Sequence, residues 1–228
     1  MKKLALESII RTEIPDDYDA IEQVTIAAFE GKPYSDQTEH LIIKRLREAN
    51  ALSLSLVAEM DSKIVGHVAF SYVLINGEDK AWYGLGPISV QPDFQRQGIG
   101  SKLVYQGLSR IRERGAKGCV LEGSPVYYQR FGFKSHPGLI YEGAPAHEFF
   151  MALPFYDEVP KGKVKFHDAF YTSTPLKVDC TLSTRQKKKA LAVNWTDTWF
   201  HKVSVLFSIV SFHSYKSKCI RQSAAPFL

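Results

Sequence analysis

Apolar residues recur at helical spacing in three stretches of the chain, and each stretch has its own boundary signal. The first follows Pro15 and two aspartates, which favour the positive end of a helix dipole. The second is predicted to begin near Asp36, with Glu39 three residues on as its capping partner. The third and most regular stretch ends near Gly115. The predicted apolar faces are Ile21, Val24, Thr25 and Phe29; Leu41, Ile42 and Leu46; and Ile99, Leu103, Val104, Gly107, Leu108 and Ile111.

Short runs rich in β-branched and aromatic residues lie around these helices and predict strands. Turns at 60–62 and at Asn76-Gly77 separate three of them into hairpins. Gly84, Gly86 and Pro87 interrupt the strand that ends at Val90, which indicates a bulge. The predicted strands are 9–14, 52–59, 63–73, 82–90, 119–122 and 148–153, and a short helix at 125–131 lies between the last two.

The order of these elements is β-α-α-β-β-β-α-β-α-β. One long helix joins two strands as a crossover, whereas the earlier strands follow one another through turns. This pattern predicts the α/β class, with a central mixed twisted sheet flanked by helices. Glycine is absent after Gly162, so we expect the folded domain to cover 1–174 and a basic extension at 175–228 to pack little against it.

Charge is divided unevenly along the 228 residues, whose formal net charge is +5. Residues 175–228 hold nine of the 29 basic residues and two of the 24 acidic ones, so this extension carries +7 and the remainder −2. A mildly acidic domain is not a basic nucleic-acid-binding module, and we expect no nucleic-acid partner for it. The extension itself could act as a basic, aromatic-containing arm that binds a membrane surface or nucleic acid.

Three cysteines, Cys119, Cys180 and Cys219, form neither an even set nor a metal-binding spacing. We therefore expect no disulfide framework and no metal site, and reduced thiols in the cytoplasm. Cys119 is expected in the core. Charged residues at positions 7 and 11 break any signal-peptide core, and the apolar run at 203–212 is too short to span a bilayer.

The stretch at 88–103 carries the chemical information, because a strand there runs through a polar, glycine-containing turn directly into a helix. Such a turn presents unpaired backbone N–H groups at the positive end of the helix dipole. Gly98 and Gly100 let the main chain approach a bulky anion closely, and Arg96 adds a full charge. The pattern predicts a diphosphate-binding loop, with a plain tight turn as the alternative.

Two common phosphate-binding patterns do not fit this loop. A P-loop needs a glycine five residues before Gly100 and the order Gly-Lys-Ser, whereas the sequence reads Gly100-Ser101-Lys102. A dinucleotide fingerprint needs a third glycine where Leu103 stands.

The run Gln95-Arg96-Gln97-Gly98-Ile99-Gly100 is similar to the Gln/Arg-x-x-Gly-x-Gly/Ala signature of the GNAT superfamily of N-acetyltransferases. The resemblance implies the acyl-CoA N-acyltransferase fold over roughly residues 8–155 and acetyl-CoA as cosubstrate. It looks closest to small bacterial acetyltransferases of unassigned substrate. The residues it assigns to CoA are Ile88, Ser89, Val90, Gln95, Arg96, Gln97, Gly98, Ile99, Gly100 and Ser101.

A second segment, Tyr127 to Phe133, resembles the family's Tyr-x-x-Leu/Phe-Gly-Phe pattern about 30 residues after the loop. In the family this tyrosine lies near the CoA sulfur and often acts as general acid, a role that maps onto Tyr128; core packing is the alternative. The family often has an asparagine just before this helix, where this chain has Gly123-Ser124-Pro125. A CoA contact from that asparagine is therefore not carried over.

The resemblance implies direct transfer of the acetyl group, with both substrates bound together. The strand at 88–90 would diverge from residues 119–121 so that pantetheine pairs with the exposed backbone, and the N–H of Ile88 is the expected donor to the oxyanion. An ammonium has no lone pair, so a base is also needed. The candidates are Glu30, Glu122 and Tyr83; for both glutamates, as for His67, a structural role is the alternative.

The acceptor stays open at this point. It is expected to be an amine of a small molecule or a peptide, selected by the irregular loops at 30–35 and 136–147. A non-catalytic CoA-sensing or interaction domain with the same fold is the alternative function, because fold alone does not establish activity. A homodimer is an open alternative to a monomer.

Overall fold

The computed structural model describes residues 8–144, 146–156 and 158–171. The first four strands form one hairpin-rich sheet, and the helices pack on its faces. A short 3₁₀ turn, Pro15–Asp17, leads into the first helix. In chain order the elements up to the long crossover helix are β1 (Ile9–Thr12), α1 (Tyr18–Phe29), α2 (Glu39–Glu48), β2 (Leu52–Met60), β3 (Lys63–Ile75), β4 (Glu78–Val90) and α3 (Ile99–Glu113).

The second half of the domain is built from shorter elements. After the crossover come β5 (Gly118–Glu122), α4 (Pro125–Tyr128), β6 (Leu139–Ile140), β7 (Phe150–Pro154) and β8 (Gly162–Lys165). The helix α4 continues as a 3₁₀ turn over Gln129–Phe131, which matches the single short helix predicted there.

The sheet runs in the order β1-β2-β3-β4-β5-β7. All neighbours along this path are antiparallel except β4 and β5, which are parallel and joined by α3. The predicted mixed α/β sheet with one crossover helix is confirmed. Asn76 and Gly77 both have positive φ, 55° and 82°, as a two-residue hairpin turn requires.

Two short strands were not predicted, and 148–153 is not the last strand. Residues 147–149 form a 3₁₀ turn, so β7 begins at Phe150. β8 follows it and pairs with Leu74 and Ile75 of β3, beyond Ser71, the last residue of β3 that pairs with β2. β6 then pairs in parallel with β8. These strands have two and four residues, too few for an alternating pattern to distinguish them from loop.

The second helix starts later than predicted. α2 begins at Glu39, and Asp36 does not cap it. The Asp36 carboxylate instead accepts hydrogen bonds from the N–H and the hydroxyl of Thr38, at 3.3 and 2.6 Å, in a local turn. The buried positions of α2 are Ile43 and Leu46, whereas Leu41 and Ile42 are only half-buried.

The core lies on both faces of the sheet. On one face the predicted apolar positions of α3 are all buried and pack against Phe70 of β3 and its neighbours. On the other face Ile21 of α1 and Ile43 of α2 cover Val57 and Ala69. Alternate residues of a strand point to opposite faces, so β2 and β3 serve both halves.

Gly107 marks the closest approach of α3 to the sheet. A Cβ at this position would lie 2.3 Å from Cε2 of Phe70, a fully buried ring. We expect Gly107→Ala to lower the free energy of unfolding by about 1–3 kcal/mol, because overpacking outweighs the better helix propensity of alanine. Urea denaturation measures this. Gln106→Ala, at the exposed neighbouring position, is the control and should change stability by less than about 0.5 kcal/mol. Equal stability of the two variants would contradict this packing.

A polar cluster sits between β1, β2, β3 and α2. Arg47 donates two hydrogen bonds to the Glu13 carboxylate, at 3.0 and 2.9 Å, and Ser55 donates a third. Ser55 has one hydrogen and gives it to Glu13, so Nε2 of His67 donates to the Ser55 oxygen at 2.7 Å. His67 is fully buried, and burial lowers its pKa, so it serves here as a neutral structural residue.

Glu13 gives the protein an acid-sensitive contribution to stability. Burial alone would raise its pKa, but the polar contacts of His67, Arg47 and Ser55 together lower it from 4.5 to about 2. A carboxyl group whose pKa is lowered by folding stabilises the fold at pH values above its pKa in the unfolded chain. This stabilisation is lost as the pH falls toward its pKa in the folded protein. We therefore expect Glu13→Gln to cost about 2 kcal/mol at pH 7. The difference from wild type should shrink between pH 4.5 and 2.

The measurement is thermal or urea unfolding of both proteins across this pH range. Glu22→Gln, at an exposed position of α1, is the control and should show no such pH dependence. A Glu13→Gln deficit that is the same at pH 3 and pH 7 would contradict the assigned ion pair.

The remaining predictions concern membrane helices, Cys119 and the C-terminal extension. Within the described part of the chain, no helix is both long and apolar enough to cross a membrane. Cys119 is fully buried, as predicted, and burial raises its thiol pKa. Ala169 and Phe170, in the 3₁₀ turn Asp168–Phe170, pack against Leu46 of α2. The predicted extension at 175–228 lies outside the described residues, so the boundary at 174 stays a prediction.

Candidate active site

The turn between β4 and α3 has the shape of an anion-binding concavity. Arg96 and Gly98 both have positive φ, 60° and 84°, with Gln97 between them. When left-handed and right-handed backbone conformations alternate along the chain, successive N–H groups point toward the same side. The side chains of Gln95 and Gln97 brace the turn, since each amide donates to a backbone carbonyl, that of Val90 at 2.9 Å and that of Asp93 at 3.1 Å.

The fold uses the backbone N–H groups at the two ends of this turn but not those between them. The Gln95 N–H donates to the Pro92 carbonyl, and the Lys102 N–H donates to the Gly98 carbonyl. Between them, none of the turn and loop hydrogen bonds in the described residues uses an amide from Arg96 to Ser101. The amides of the first helical turn lack intrahelical acceptors by geometry. The loop therefore offers a set of free donors at the positive end of α3.

Tyr127 forms one wall of this loop. A Cβ on Gly100 would lie 2.8 Å from the Tyr127 hydroxyl, so Gly100 is required for the close approach. Burial raises the Tyr127 pKa, partly offset by a hydrogen bond with Ser101 and by the charge of Arg130. The guanidinium of Arg130 lies over the Tyr127 ring, 4.5 Å from its centroid. The segment resembling the family's tyrosine pattern thus contacts the glycine turn directly.

The parallel strands β4 and β5 separate near the loop. They pair only from Trp82 to Gly84 on β4, opposite Gly118 to Val120 on β5. The predicted divergence is present, but it begins at Leu85, and Val120 is still paired. On its other side β4 gains one residue between Leu85 and Ile88 relative to β3, which is the bulge expected around Gly86 and Pro87.

The strand residues assigned to CoA differ in what their side chains can do. Ser89 is almost fully buried, and its hydroxyl is hydrogen-bonded to Thr25 of α1 at 3.1 Å. Ile88 and Val90 pack against the core beneath α3. These residues can therefore serve a ligand through the backbone of β4, which is the role predicted for Ile88.

Tyr128 sits in the core at the end of α4, with 9% of its surface exposed. Its ring is 4.9 Å from that of Tyr127 and 6.1 Å from that of Phe133. A Cβ on Gly123 would lie 2.4 Å from the Tyr128 ring, so the glycine lets the ring lie close to the backbone. Gly123 belongs to the segment just before α4 where the family often has an asparagine. Burial, together with Tyr127, Cys119 and Tyr34, raises the Tyr128 pKa, so the hydroxyl keeps its proton.

The three predicted base candidates are not brought together. Glu30 is exposed at the C-terminal end of α1. Glu122 is the exposed last residue of β5 and lies near Tyr141, whose pKa is raised by burial, Tyr171 and Glu122 in that order. Tyr83 of β4 pairs with Cys119 of β5, and both pack on the α3 face of the sheet. Glu122 is three residues after Cys119 on the same strand, so it points to the other face. Their roles stay predictions.

Sequence reasoning did not single out Tyr34 and Glu39 as candidates for the acceptor region. Both lie in or just after the irregular loop that was expected to shape the acceptor site. Tyr34 is near enough to Tyr128 to influence its pKa. The sequence signal at Glu39, three residues after Asp36, predicts only a helix cap.

Among the described residues, no group of three His, Cys, Asp or Glu side chains is placed to hold a metal ion.

The family comparison matches residues 18–133 to the Acetyltransferase (GNAT) family. This range holds the glycine turn, the separating strands and both tyrosines of α4. The chain belongs to the GNAT acetyltransferase family. The fold, the family and the acetyltransferase class predicted from the sequence are thereby confirmed, and the catalytic interpretation is favoured over a non-catalytic domain.

The similar proteins include bacterial acetyltransferases. The "Uncharacterized N-acetyltransferase YhbS" of Escherichia coli K12 is 39% identical over 127 residues, which cover 55% of this chain and 73% of YhbS. A GNAT acetyltransferase from Brucella melitensis, solved with acetyl-CoA, is 48% identical with a TM-score of 0.65 over 73% of this chain and 99% of its own. The structure of YhbS with CoA is 33% identical, with a TM-score of 0.69 over 75% and 96%.

Proposed function

We propose that this GNAT protein transfers an acetyl group from acetyl-CoA to a primary amine by direct attack in a ternary complex. The observation that carries the proposal is the run of free backbone donors from Arg96 to Ser101 beside the opening between β4 and β5. A diphosphate suits these donors and the helix dipole behind them. The acetyl-CoA and CoA bound in the two similar structures support the same ligand.

Each part of the site has a separable task. The loop amides and Arg96 hold the diphosphate, and the free edge of β4 orients the pantetheine chain. Holding the thioester within reach of the amine lowers the activation barrier, because the motion of both groups is restricted before they react. The N–H of Ile88 donates to the carbonyl oxygen as negative charge develops there. Tyr128, whose raised pKa keeps it protonated, donates its proton to the departing sulfur.

The acceptor is an amine of a small molecule or a peptide, selected by the loops at 30–35 and 136–147. We place the reaction in the cytoplasm, since the chain's three cysteines show no disulfide pattern. No nucleic acid is needed by the domain, and a homodimer is an open alternative to a monomer.

A thiol-release assay tests the proposed activity. The full chain is mixed with acetyl-CoA and a panel of polyamines, aminoglycosides, lysine peptides and peptides with free N-termini, and free CoA thiol is measured. We expect amine-dependent release above the rate without amine, and mass spectrometry should find the acetylated amine. Tight CoA binding with no release on any amine would contradict the proposal and favour a CoA sensor.

A further inference from the structure

Glu39 carries a carboxylate oxygen that the fold leaves unsatisfied. Its Oε2 is buried and has no hydrogen-bond partner within the described residues. A buried acceptor without a donor costs free energy. A residue placed only to favour the start of α2 could face solvent at no such cost. The position is therefore better explained by a donor that arrives with a ligand.

The environment of Glu39 links it to the tyrosine assigned as general acid. Tyr34, five residues earlier, has its pKa raised by burial and by the charge of Glu39. Tyr34 in turn contributes to the raised pKa of Tyr128. Tyr34, in the loop between α1 and α2, thus lies within electrostatic range of both Glu39 and Tyr128. This loop is also where the acceptor site was expected.

Burial makes Glu39 a weaker acid than an exposed glutamate and so suits it to proton transfer. Burial raises its pKa most, and a hydrogen bond from Ser35 and one from the backbone N–H of Glu39 itself lower it in part. The charge of Asp36 raises the pKa further, and nearby His40 lowers it. A base is most effective when its pKa approaches the working pH. The earlier candidates Glu30 and Glu122 are both exposed.

We propose that Glu39 binds the acceptor ammonium and takes its first proton, an inference that rests on the proposed function. The nitrogen lone pair so released forms the bond to the acetyl carbon as the carbon–sulfur bond breaks. Tyr128 gives its proton to the sulfur, and the second proton of the nitrogen passes through solvent to restore Tyr128. Glu39 returns its proton to solvent, so one amide, one thiol and one net proton result.

Kinetics of Glu39→Gln on an amine that the wild type acetylates test this role. We expect kcat/KM for the amine to fall about 100-fold near pH 7.5, with CoA affinity within twofold of wild type. The deficit should shrink above pH 9, where the free amine already has its lone pair. Glu39→Asp should recover part of the rate. Glu48→Gln, at the exposed end of the same helix, is the control and should match wild type.

Thermal unfolding against pH gives a second readout that needs no substrate. A carboxyl group whose pKa is raised by folding destabilises the protein when it ionises, so stability is lost as pH rises through its unfolded value. We expect Glu39→Gln to melt higher than wild type at pH 8, and the gain to vanish near pH 4. A variant that melts lower at every pH would make Glu39 a structural cap and overturn the proposal.

The outcomes separate the two proposals. Wild-type protein that acetylates no amine overturns the proposed function and the role of Glu39 with it. Wild-type turnover that Glu39→Gln retains in full, with an unchanged pH profile, overturns the role of Glu39 alone.

Discussion

Replacing Gly98 by valine is expected to weaken acetyl-CoA binding at least tenfold. Gly98 has φ 84°, a left-handed conformation that costs an L-residue about 1–2 kcal/mol and is rarer still for a β-branched side chain. The space around it is open, so no side-chain clash intervenes. Relief of the strain must rotate the amides that are assigned to the diphosphate. Isothermal titration calorimetry with CoA measures the loss, since about 1.4 kcal/mol is tenfold in affinity.

The other end of α3 supplies a matched control. Gly115 has φ 87°, and a Cβ there also meets nothing within 4 Å. Gly115→Val should therefore cost similar stability but leave CoA affinity within twofold of wild type. If both variants lost affinity equally, the effect would come from general destabilisation and the assignment of the loop would fail.

Tyr128→Phe is expected to lower kcat about 100-fold while the Kd for CoA stays unchanged. The Tyr128 ring packs against Phe133 and Tyr127. Phenylalanine keeps that packing and removes only the proton that the sulfur would receive. Stability should therefore stay within about 0.5 kcal/mol of wild type. Steady-state kinetics and calorimetry on one protein batch make this comparison.

Tyr105→Phe is the companion variant. Tyr105 is exposed on α3, and its ring contacts Phe131 at 5.0 Å, next to the same aromatic group. It should retain wild-type kcat. Full turnover by Tyr128→Phe would make that residue a packing aromatic, the alternative that its burial in the core also allows.

The features that the sequence predicted best are those with strong local causes. The amphipathic face of α3 repeats over four turns, and its buried positions match the predicted ones. The glycine turn before it depends on backbone conformations that few residues adopt, so Gly98 could be located from sequence. Both signals lie within a few residues of the feature that they predict.

The features that sequence reasoning missed depend on distant contacts. β8 exists because β3 extends past β2 and leaves an edge that Val164 and Lys165 can pair with. The start of α2 moved because Asp36 bonds to Thr38 in a turn of its own. Glu39 could not be recognised as a candidate from sequence, because the burial of its carboxylate oxygen depends on how the loop before α2 packs. No local pattern encodes such neighbours.

Binding of CoA to backbone amides of the loop is the central claim, and ¹⁵N–¹H NMR tests it most directly. The amide signals of Arg96, Gln97, Gly98, Ile99 and Gly100 are followed while CoA is added to the uniformly labelled full chain. The account predicts that these signals show the largest downfield shifts, as expected when free N–H groups acquire phosphate acceptors, and that pantetheine, which lacks the diphosphate, leaves them in place. Saturation with CoA that moves other amides but not these five would contradict it.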